Sequence, residues 1–172
     1  SFQYDEMSRV IRKIDDLAGV TVIKYSAAGD VLSEMDALGN TVTYTYDNYG
    51  NLIAKRDAMG NVTTYTYDEN NNMTSTVDAL GNVTTYTYDK RNLLVSVTAA
   101  NGATVTYGYD ALGRRISTTD AKGNTVRTAY DAHGNVISVT DAKCNVVKET
   151  EYNSLNSACA SIRIMLITSI NT

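Results

Sequence analysis

The sequence lacks several residues around which protein sites and small folds are commonly built. Its 172 residues include no proline, no tryptophan, one phenylalanine and one histidine, His133. A histidine-ligated metal site or a catalytic triad needs partners for that histidine which the sequence does not supply. The two cysteines, Cys144 and Cys159, are too few to build a disulfide framework. We therefore expect His133 to be an exposed turn residue.

Positive charge is also scarce and scattered. The chain carries 15 Lys and Arg against 19 Asp and Glu, for a net charge of −4. A nucleic-acid-binding face requires a concentration of basic residues that is absent here. The apolar stretch within the C-terminal residues is too short and interrupted to span a bilayer. The sequence therefore predicts no nucleic-acid partner and no membrane span.

The residues that are abundant favour β-structure. The chain has 13 tyrosines, and threonine and valine are also frequent. These three residue types prefer strands, whereas asparagine, aspartate and glycine, which are plentiful here, prefer tight turns. Composition alone therefore predicts an all-β chain.

A tyrosine recurs every 21 residues along most of the chain, which reveals a tandem repeat. The seven copies are Tyr4, Tyr25, Tyr46, Tyr67, Tyr88, Tyr109 and Tyr130. Aspartate follows each of them except Tyr25, and in most copies glycine or asparagine stands three residues after that position, as at Gly50 and Asn71. Because Gly and Asn adopt positive φ most readily, each tyrosine is expected to precede a tight turn.

A second turn motif lies half a repeat away. It reads Asp36-Ala37-Leu38-Gly39-Asn40 and returns at residues 57–61, 78–82 and 120–124. Residues 99–102 and 141–145 are degenerate copies, and Cys144 replaces the glycine in the latter. A cysteine at a glycine position predicts a strained or altered turn.

The segments between these turns have the length and composition of strands. Val62–Tyr67 and Leu52–Arg56 are examples, and neither shows the 3.6-residue period of an amphipathic helix. Each repeat is therefore predicted to contribute two strands and two turns to an antiparallel meander. A sheet of this size is expected to curve or spiral, with tyrosines and aliphatic residues on its inner surface.

The odd repeat length imposes a further condition on the sheet. Side chains alternate between faces, so a 21-residue step would move each tyrosine to the opposite face unless the hairpins compensated. We predict that one turn has an odd loop or a bulge and the other an even loop. Tyr44, Tyr65, Tyr86 and Tyr107 would then share one face with the repeat tyrosines.

The tandem motifs resemble the Rhs/YD-repeat family. The resemblance rests on the motifs Tyr46-Asp47-Asn48-Tyr49-Gly50-Asn51 and Tyr130-Asp131-Ala132-His133-Gly134-Asn135. Asp-Ala-x-Gly-Asn turns lie between the copies. The resemblance covers residues 1–153 and leaves 154–172 as a degenerate or non-repeat tail. It implies a β-spiral shell, as in bacterial Rhs toxins, toxin-complex subunits, wall-associated proteins and teneurins.

The resemblance implies a structural role in a secreted or surface-exposed bacterial protein. The shell would enclose or present a C-terminal toxin cargo not present in this chain, as in the polymorphic toxins of bacterial competition. Without proline, the chain lacks the Asp-Pro-x-Gly element that supports self-cleavage in the family. The alternative function is a cell-surface adhesion module that binds cell-wall carbohydrate or a receptor.

The aspartates and tyrosines also invite chemical hypotheses. Aspartate-rich loops can bind calcium, but no EF-hand spacing occurs, and aspartate at a turn usually bonds its own backbone. Tyrosines could stack on sugars, but their fixed recurrence favours packing. Because every repeat aspartate has copies, no unique catalytic pair stands out. We expect no enzyme, and assign no catalytic, cofactor-binding or metal-binding residue and no cofactor.

Overall fold

A computed structural model describes residues 1–143, 145–152 and 158–159, and these residues form an all-β fold. Fifteen strands follow one another in sequence order as an antiparallel meander, and two further strands pair separately. The predicted meander of two-strand repeats is therefore confirmed. The strands are β1 (Phe2–Tyr4), β2 (Val10–Ile14), β3 (Val20–Tyr25), β4 (Val31–Met35), β5 (Thr41–Tyr46), β6 (Leu52–Arg56), β7 (Val62–Tyr67), β8 (Met73–Val77), β9 (Val83–Tyr88), β10 (Leu94–Thr98), β11 (Thr104–Tyr109), β12 (Arg115–Thr119), β13 (Thr125–Tyr130), β14 (Val136–Thr140), β15 (Val146–Glu149), β16 (Glu151–Tyr152) and β17 (Ala158–Cys159).

The chain divides into two units, Ser1–Thr85 and Tyr86–Thr172. The first unit contains β1 to β8 and the beginning of β9, and the second contains the remaining strands. The division of the sequence into an array and a tail at residues 153 and 154 stays a prediction. Most of that tail, like Cys144, lies outside the described residues.

Both kinds of turn are built on the same five-residue loop. In residues 36–40, the Asp36 N–H donates to the Asn40 carbonyl over 2.9 Å, and the Gly39 N–H donates to the Asp36 carbonyl over 3.1 Å. In residues 47–51, Asp47 and Gly50 make the equivalent bonds over 2.9 and 3.2 Å. The degenerate turn at residues 99–103 keeps this pattern without an aspartate. The prediction that one of the two loops is even is therefore wrong.

The fourth residue of each loop adopts positive φ wherever the backbone is described. Asn71 and Asn92 have φ of 62° and 61°, which confirms that they substitute for glycine. Ser8 and Ala18, both at 61°, occupy the same position and were not expected there. Ala18 precedes Gly19, so the glycine is displaced by one residue from the position where its flexibility would help most.

In six of the described hairpins that follow a repeat tyrosine, a β-bulge restores the parity of the faces. In the β5–β6 pair, Thr45 is opposite Ala54 but Tyr46 is opposite Leu52, so Ile53 is the extra residue. The β6–β7 pair has no such shift. Of the two predicted alternatives, an odd loop or a bulge, the bulge supplies the parity change, and it lies in the strand rather than in the loop. The extra residues are Ile11, Leu32, Ile53, Thr74, Ile116 and Ile137.

One pair in the second unit has an additional shift. Strands β14 and β15 change register between Val139 and Thr140, beside the loop that contains position 144. The other described hairpins with an Asp-Ala-x-Gly-Asn turn pair without a shift. The predicted strain at Cys144 itself concerns a residue outside those described.

The register places the tyrosines of each unit on a common face. In the first unit Tyr44 is opposite Lys55, and Lys55 is opposite Thr63, two residues before Tyr65. In the second unit Tyr107 is opposite Thr118, which is opposite Val126 on the strand that ends at Tyr130. The predicted tyrosine face is therefore confirmed within each unit.

Within each unit, the described strands of the sheet contact their neighbours in the sheet and form a single layer. Tyrosines such as Tyr46 and Tyr67 are half-buried, whereas Thr45 and Thr66 on the opposite face are exposed. No described side chain is fully buried. Stability must therefore come from strand pairing, half-buried contacts and the turns rather than from an enclosed core.

Candidate functional site at the tyrosine turns

In five of the described repeats, the tyrosine hydroxyl donates to a backbone carbonyl of the preceding repeat. The Tyr46 hydroxyl donates to the Val31 carbonyl over 3.0 Å, and the Tyr67 hydroxyl donates to the Leu52 carbonyl over 2.9 Å. Val31 and Leu52 each come immediately before an extra bulge residue. The same bond is made by Tyr25 to Val10, Tyr109 to Leu94 and Tyr130 to Arg115.

This bond explains why the repeat needs tyrosine rather than phenylalanine. A bulge interrupts the ladder of backbone hydrogen bonds, and its polar groups need other partners. The ring covers the sheet while its hydroxyl supplies a donor beside the bulge. Because donor and acceptor belong to consecutive repeats, each tyrosine connects its repeat to the one before.

The loops that follow the repeat tyrosines are called the tyrosine turns, and the Asp-Ala-x-Gly-Asn loops with their degenerate copies are called the opposite turns. The tyrosine turns are residues 5–9, 26–30, 47–51, 68–72, 89–93, 110–114 and 131–135. The opposite turns are residues 15–19, 36–40, 57–61, 78–82, 99–103, 120–124 and 141–145.

The turn aspartate bonds to its own loop in both sets, as predicted. Asp47 Oδ1 accepts from the backbone N–H groups of Tyr49 and Asn51 over 2.8 and 2.9 Å. Its Oδ2 accepts from Asn51 Nδ2 over 3.0 Å. This side-chain bond lowers the pKa of Asp47, partial desolvation opposes it, and the backbone bonds lower the pKa further. Both carboxylate oxygens are thus engaged within the turn.

The described residues contain no assembled cluster of metal ligands. No group of three or more histidine, cysteine, aspartate and glutamate side chains there is arranged to hold an ion. His133 lies in the tyrosine turn 131–135, and its backbone N–H donates to Asp131 Oδ1 over 2.9 Å. Its side chain is exposed, as expected for a variable turn position.

Two tyrosine turns end in an arginine that bridges to the next tyrosine turn. Arg114 Nε donates to Asp110 Oδ2 over 2.7 Å, and its Nη1 donates to the Asp131 carbonyl over 2.8 Å. The Arg114 Cζ lies 4.8 Å from the centre of the Tyr130 ring. The guanidinium therefore joins the carboxylate of one turn, the backbone of the next and a tyrosine ring.

Arg9 repeats this arrangement in the first unit. Its Nε lies 2.6 Å from Asp5 Oδ2, and its Nη1 donates to the Ser26 carbonyl over 3.1 Å. Its Cζ lies 4.7 Å from the centre of the Tyr25 ring. The sequence interpretation missed both arginines. Their common position, four residues after the turn aspartate, was the available signal.

Other tyrosine turns are connected by different groups. Arg91 Nη1 donates to the Asp110 carbonyl over 2.9 Å, and Asn51 Nδ2 donates to Asn71 Oδ1 over 2.8 Å. The side-chain bonds described for the opposite turns stay within one hairpin, as when Asn61 Nδ2 donates to Asp57 Oδ2 over 2.7 Å. Connections between repeats are therefore concentrated at the tyrosine turns.

A cavity of about 490 Å³ lies between the tyrosine turns 47–51 and 68–72. Asp47, Tyr49 and Asn51 line it from the first turn. The Tyr67 ring and residues of the second turn, Asp68 and Glu69 among them, line the other side. Carboxylates and aromatic rings therefore meet in one concave surface.

The family model for the RHS Repeat matches residues 25–54, 49–83, 72–104, 88–125 and 109–143. These overlapping matches cover most of the chain. The chain belongs to the RHS-repeat family. The resemblance carried by the tyrosine and aspartate motifs is therefore confirmed, and the tyrosine turns between residues 25 and 143 are RHS-repeat turns. No curated protein sequence matches the chain significantly.

Solved structures of toxin complexes share the fold of this RHS-repeat chain. A Photorhabdus luminescens Tc holotoxin pore carrying a TccC3 mutation has a TM-score of 0.74 at 16% identity, over 92% of this chain. The TcdB2-TccC3 and TcdB2-TccC3-Cdc42 crystal structures each have a TM-score of 0.69, at 21% and 20% identity, over 88% of this chain. The chain spans only 9% to 10% of the chains that it matches.

These likenesses show the fold class, which is an antiparallel all-β meander like that of β-spiral shell proteins. The RHS-repeat fold is a structural shell fold. Within the described residues, no helix has the length and apolar character required to cross a membrane.

Proposed function

We propose that this chain is a wall segment of a secreted RHS-repeat shell, and that the shell encloses or presents a toxin or effector domain outside this chain. The observation that carries the proposal is the tyrosine-to-bulge hydrogen bond, which recurs between consecutive repeats. It extends a uniform sheet by adding identical units. This construction suits a wall, whose task is to cover an area without interruption.

The absence of a distinctive chemical centre among the residues that the structure describes supports a structural role. Each turn aspartate has copies in other repeats, and the oxygens of Asp47 and Asp57 are occupied by their own loops. A nucleophile or general base needs an environment that sets it apart from its copies. We therefore propose a non-enzymatic segment without a cofactor.

The single-layer sheet supports the proposal that this array is part of a larger shell. A stable domain usually covers each apolar sheet face with a second layer, and no described side chain here is fully buried. The half-buried tyrosine face is the better candidate for the side that faces enclosed material. The carbohydrate-binding alternative receives no support from the likenesses to toxin-complex structures, and we do not propose it.

Protease protection tests the proposal in the complete polypeptide that carries this array. When the unsubstituted polypeptide is recovered after export and treated with trypsin, we expect its effector region to resist cleavage. A Tyr46→Ala, Tyr67→Ala double variant should open the wall and raise the cleavage rate of that region by about tenfold or more, since cleavage follows the population of open states. The matched control is Tyr49→Ala, because this tyrosine is 83% exposed.

Two results would contradict the proposal. One is an effector region that is cleaved in the parent as fast as when it is produced alone. The other is accumulation of the polypeptide inside the producing cell, with none recovered from the medium or the cell surface.

A further inference from the structure

The opposite turns of the first unit each present a large apolar side chain to solvent at the third position of the loop. These residues are Leu17, Leu38, Met59 and Leu80, and each is at least 88% exposed. Because two strands separate consecutive opposite turns, the four side chains recur along one edge of the sheet at intervals of about 9–10 Å. We call these four residues the apolar row.

The loop itself does not require an apolar side chain at this position. It uses only the backbone there, as when the Leu38 N–H donates to Asp36 Oδ1 over 2.9 Å. The same backbone bond forms where the position holds Arg91, Lys122 or His133. Folding of the turn therefore does not explain the apolar row, and several large apolar side chains exposed together indicate a contact surface.

The turns that carry the apolar row are acidic. They contain five aspartates and no lysine or arginine. The side-chain hydrogen bond from the loop asparagine is the main cause that lowers the pKa of Asp36, Asp57 and Asp78, so these carboxylates are ionised at neutral pH. A surface that fits this edge must therefore combine apolar contact with positive charge.

The opposite turns of the second unit have that complementary character. Their third residues are Asn101, Lys122 and Lys143, and both lysines are exposed. The lysines are one repeat apart, so they are separated by the same distance of about 9–10 Å as neighbours in the apolar row. A lysine can lay its methylene stem on an apolar side chain while its ammonium group stays beside a carboxylate. The two edges therefore match in spacing and in charge.

We propose that the apolar row docks against the second-unit opposite turns of another copy of this chain. Lys122 and Lys143 of one copy would lie between neighbouring members of the row on the other copy, with their ammonium groups beside the turn aspartates. Because the two surfaces differ, the contact is heterologous, and a dimer keeps one free edge of each kind for a further copy. The inference goes beyond the proposed function, because such an assembly forms with or without an enclosed effector.

Sedimentation velocity of the intact chain over a range of concentrations measures the association. A contact made by one edge of a sheet is smaller than a standard interface, whose affinity is micromolar or tighter. We therefore expect the parent chain to associate with a Kd on the order of 10–100 μM.

The row variant, Leu38→Ser with Met59→Ser, removes the centre of the apolar row. Its Kd should rise at least about tenfold, because two central apolar contacts are lost. The matched control is Tyr49→Ser with Leu112→Ser, which removes two exposed side chains from the same loop position on tyrosine turns. The control should associate as the parent does. Circular dichroism should show the parent's β-sheet spectrum for both variants, because the loop forms with polar residues at this position.

The lysine variant, Lys122→Glu with Lys143→Glu, changes the other surface. Alone, it should associate at least about tenfold more weakly than the parent, because it brings carboxylates toward the aspartates beside the apolar row. Mixed with the row variant, it should form a one-to-one dimer with a Kd within about twofold of the parent value. The lysine variant supplies the intact row in that dimer, and the row variant supplies the lysines.

Four outcomes would overturn the proposal. The first is a parent chain that stays monomeric at about ten times the expected Kd. The second is an equal loss of association in the row variant and its tyrosine-turn control. The third is undiminished association of the lysine variant, which would mean that the row pairs with itself. The fourth is a mixture of the row and lysine variants that stays monomeric.

Discussion

The tyrosine turns and the opposite turns share one loop but differ in what they connect. In both, the aspartate accepts bonds from its own loop, as Asp47 and Asp57 do. The tyrosine turns add a bulge, a tyrosine hydroxyl that reaches the previous repeat, and side chains such as Arg114 that reach the next one. The opposite turns reverse the chain, and their described side-chain bonds stay within one hairpin.

This difference separates two tasks that a repeat protein must perform. Reversal of the chain is a local task, which the aspartate and a residue of positive φ accomplish within one loop. Joining one repeat to the next requires contacts between residues far apart in sequence, such as Tyr67 and Leu52. Nearest-neighbour contacts of this kind govern the stability of an array.

Acid is expected to have the largest effect, because it acts on both sets of turns at once. Hydrogen bonds lower the pKa of Asp47 and Asp57 from the ordinary value of 3.8. A lowered folded-state pKa contributes stability that is present above pH 3.8 and is lost as the pH falls through the lowered pKa. The Tm followed by circular dichroism should therefore fall steeply below pH 4, after little change from pH 7 to 5.

Single substitutions sharpen this prediction for the two sets of turns. Asp57→Asn and Asp47→Asn should each reduce the pH dependence of the Tm by a similar amount, since both carboxylates make the same bonds within their loops. A Tm that is as high at pH 2.5 as at pH 7 would contradict the role assigned to these aspartates.

Tyr67→Ala is expected to have the next largest effect. It distinguishes the two sets of turns, because it acts on the tyrosine turns alone. The substitution removes a half-buried ring and the hydroxyl that bonds to the Leu52 carbonyl. The free energy of unfolding should fall by about 2–3 kcal/mol, below the loss for a fully buried aromatic residue. Urea unfolding measures it. Leu80→Ala on an opposite turn, where the side chain is 88% exposed, should change it by less than about 0.5 kcal/mol.

Tyr67→Phe isolates the hydroxyl from the ring. The Leu52 carbonyl would lose its donor beside the bulge, and the free energy of unfolding should fall by about 1 kcal/mol. Tyr49→Phe is the control, because that side chain is 83% exposed and makes no part of the bulge contact. If both variants unfolded at the same urea concentration as the parent, the bond between repeats would have no stabilising role.

The smallest effects concern the loop that both sets of turns share. Ala18 and Ser8 adopt positive φ on an opposite turn and a tyrosine turn, respectively. Ala18→Gly and Ser8→Gly should each relieve strain, with a net gain of up to about 0.5 kcal/mol after the larger chain entropy of glycine. Gly39→Ala should cost about 1 kcal/mol by conformation alone, because a Cβ there meets no atom within 4 Å. Unequal gains at Ala18 and Ser8 would show that the two loops are not equivalent.

The sequence pattern predicted the strands, the turns, the bonding of the aspartates and the need for an odd loop or a bulge, because these follow from local propensity and from the alternation of side chains. It did not predict which hairpin carries the bulge. The extra residue is Ile53 in one repeat and Thr74 in the next, and such residues also suit a regular strand. The residue type at the extra position therefore does not identify the bulge in the sequence.

The contacts between repeats were beyond prediction for a different reason. Arg114 stands four residues after its aspartate, which suggests a local ion pair, but its second acceptor lies 17 residues along the chain. Only the register of the strands brings the two together.

The bulge also limits how such a chain can change in length during evolution. With one bulge in each 21-residue unit, every unit returns its side chains to the face from which they started. Loss or gain of a single codon within a strand would turn all downstream tyrosines outward, unless a second change compensated. Duplication or deletion of an entire unit leaves every orientation intact, so genes of this kind are expected to grow and shrink in whole-unit steps.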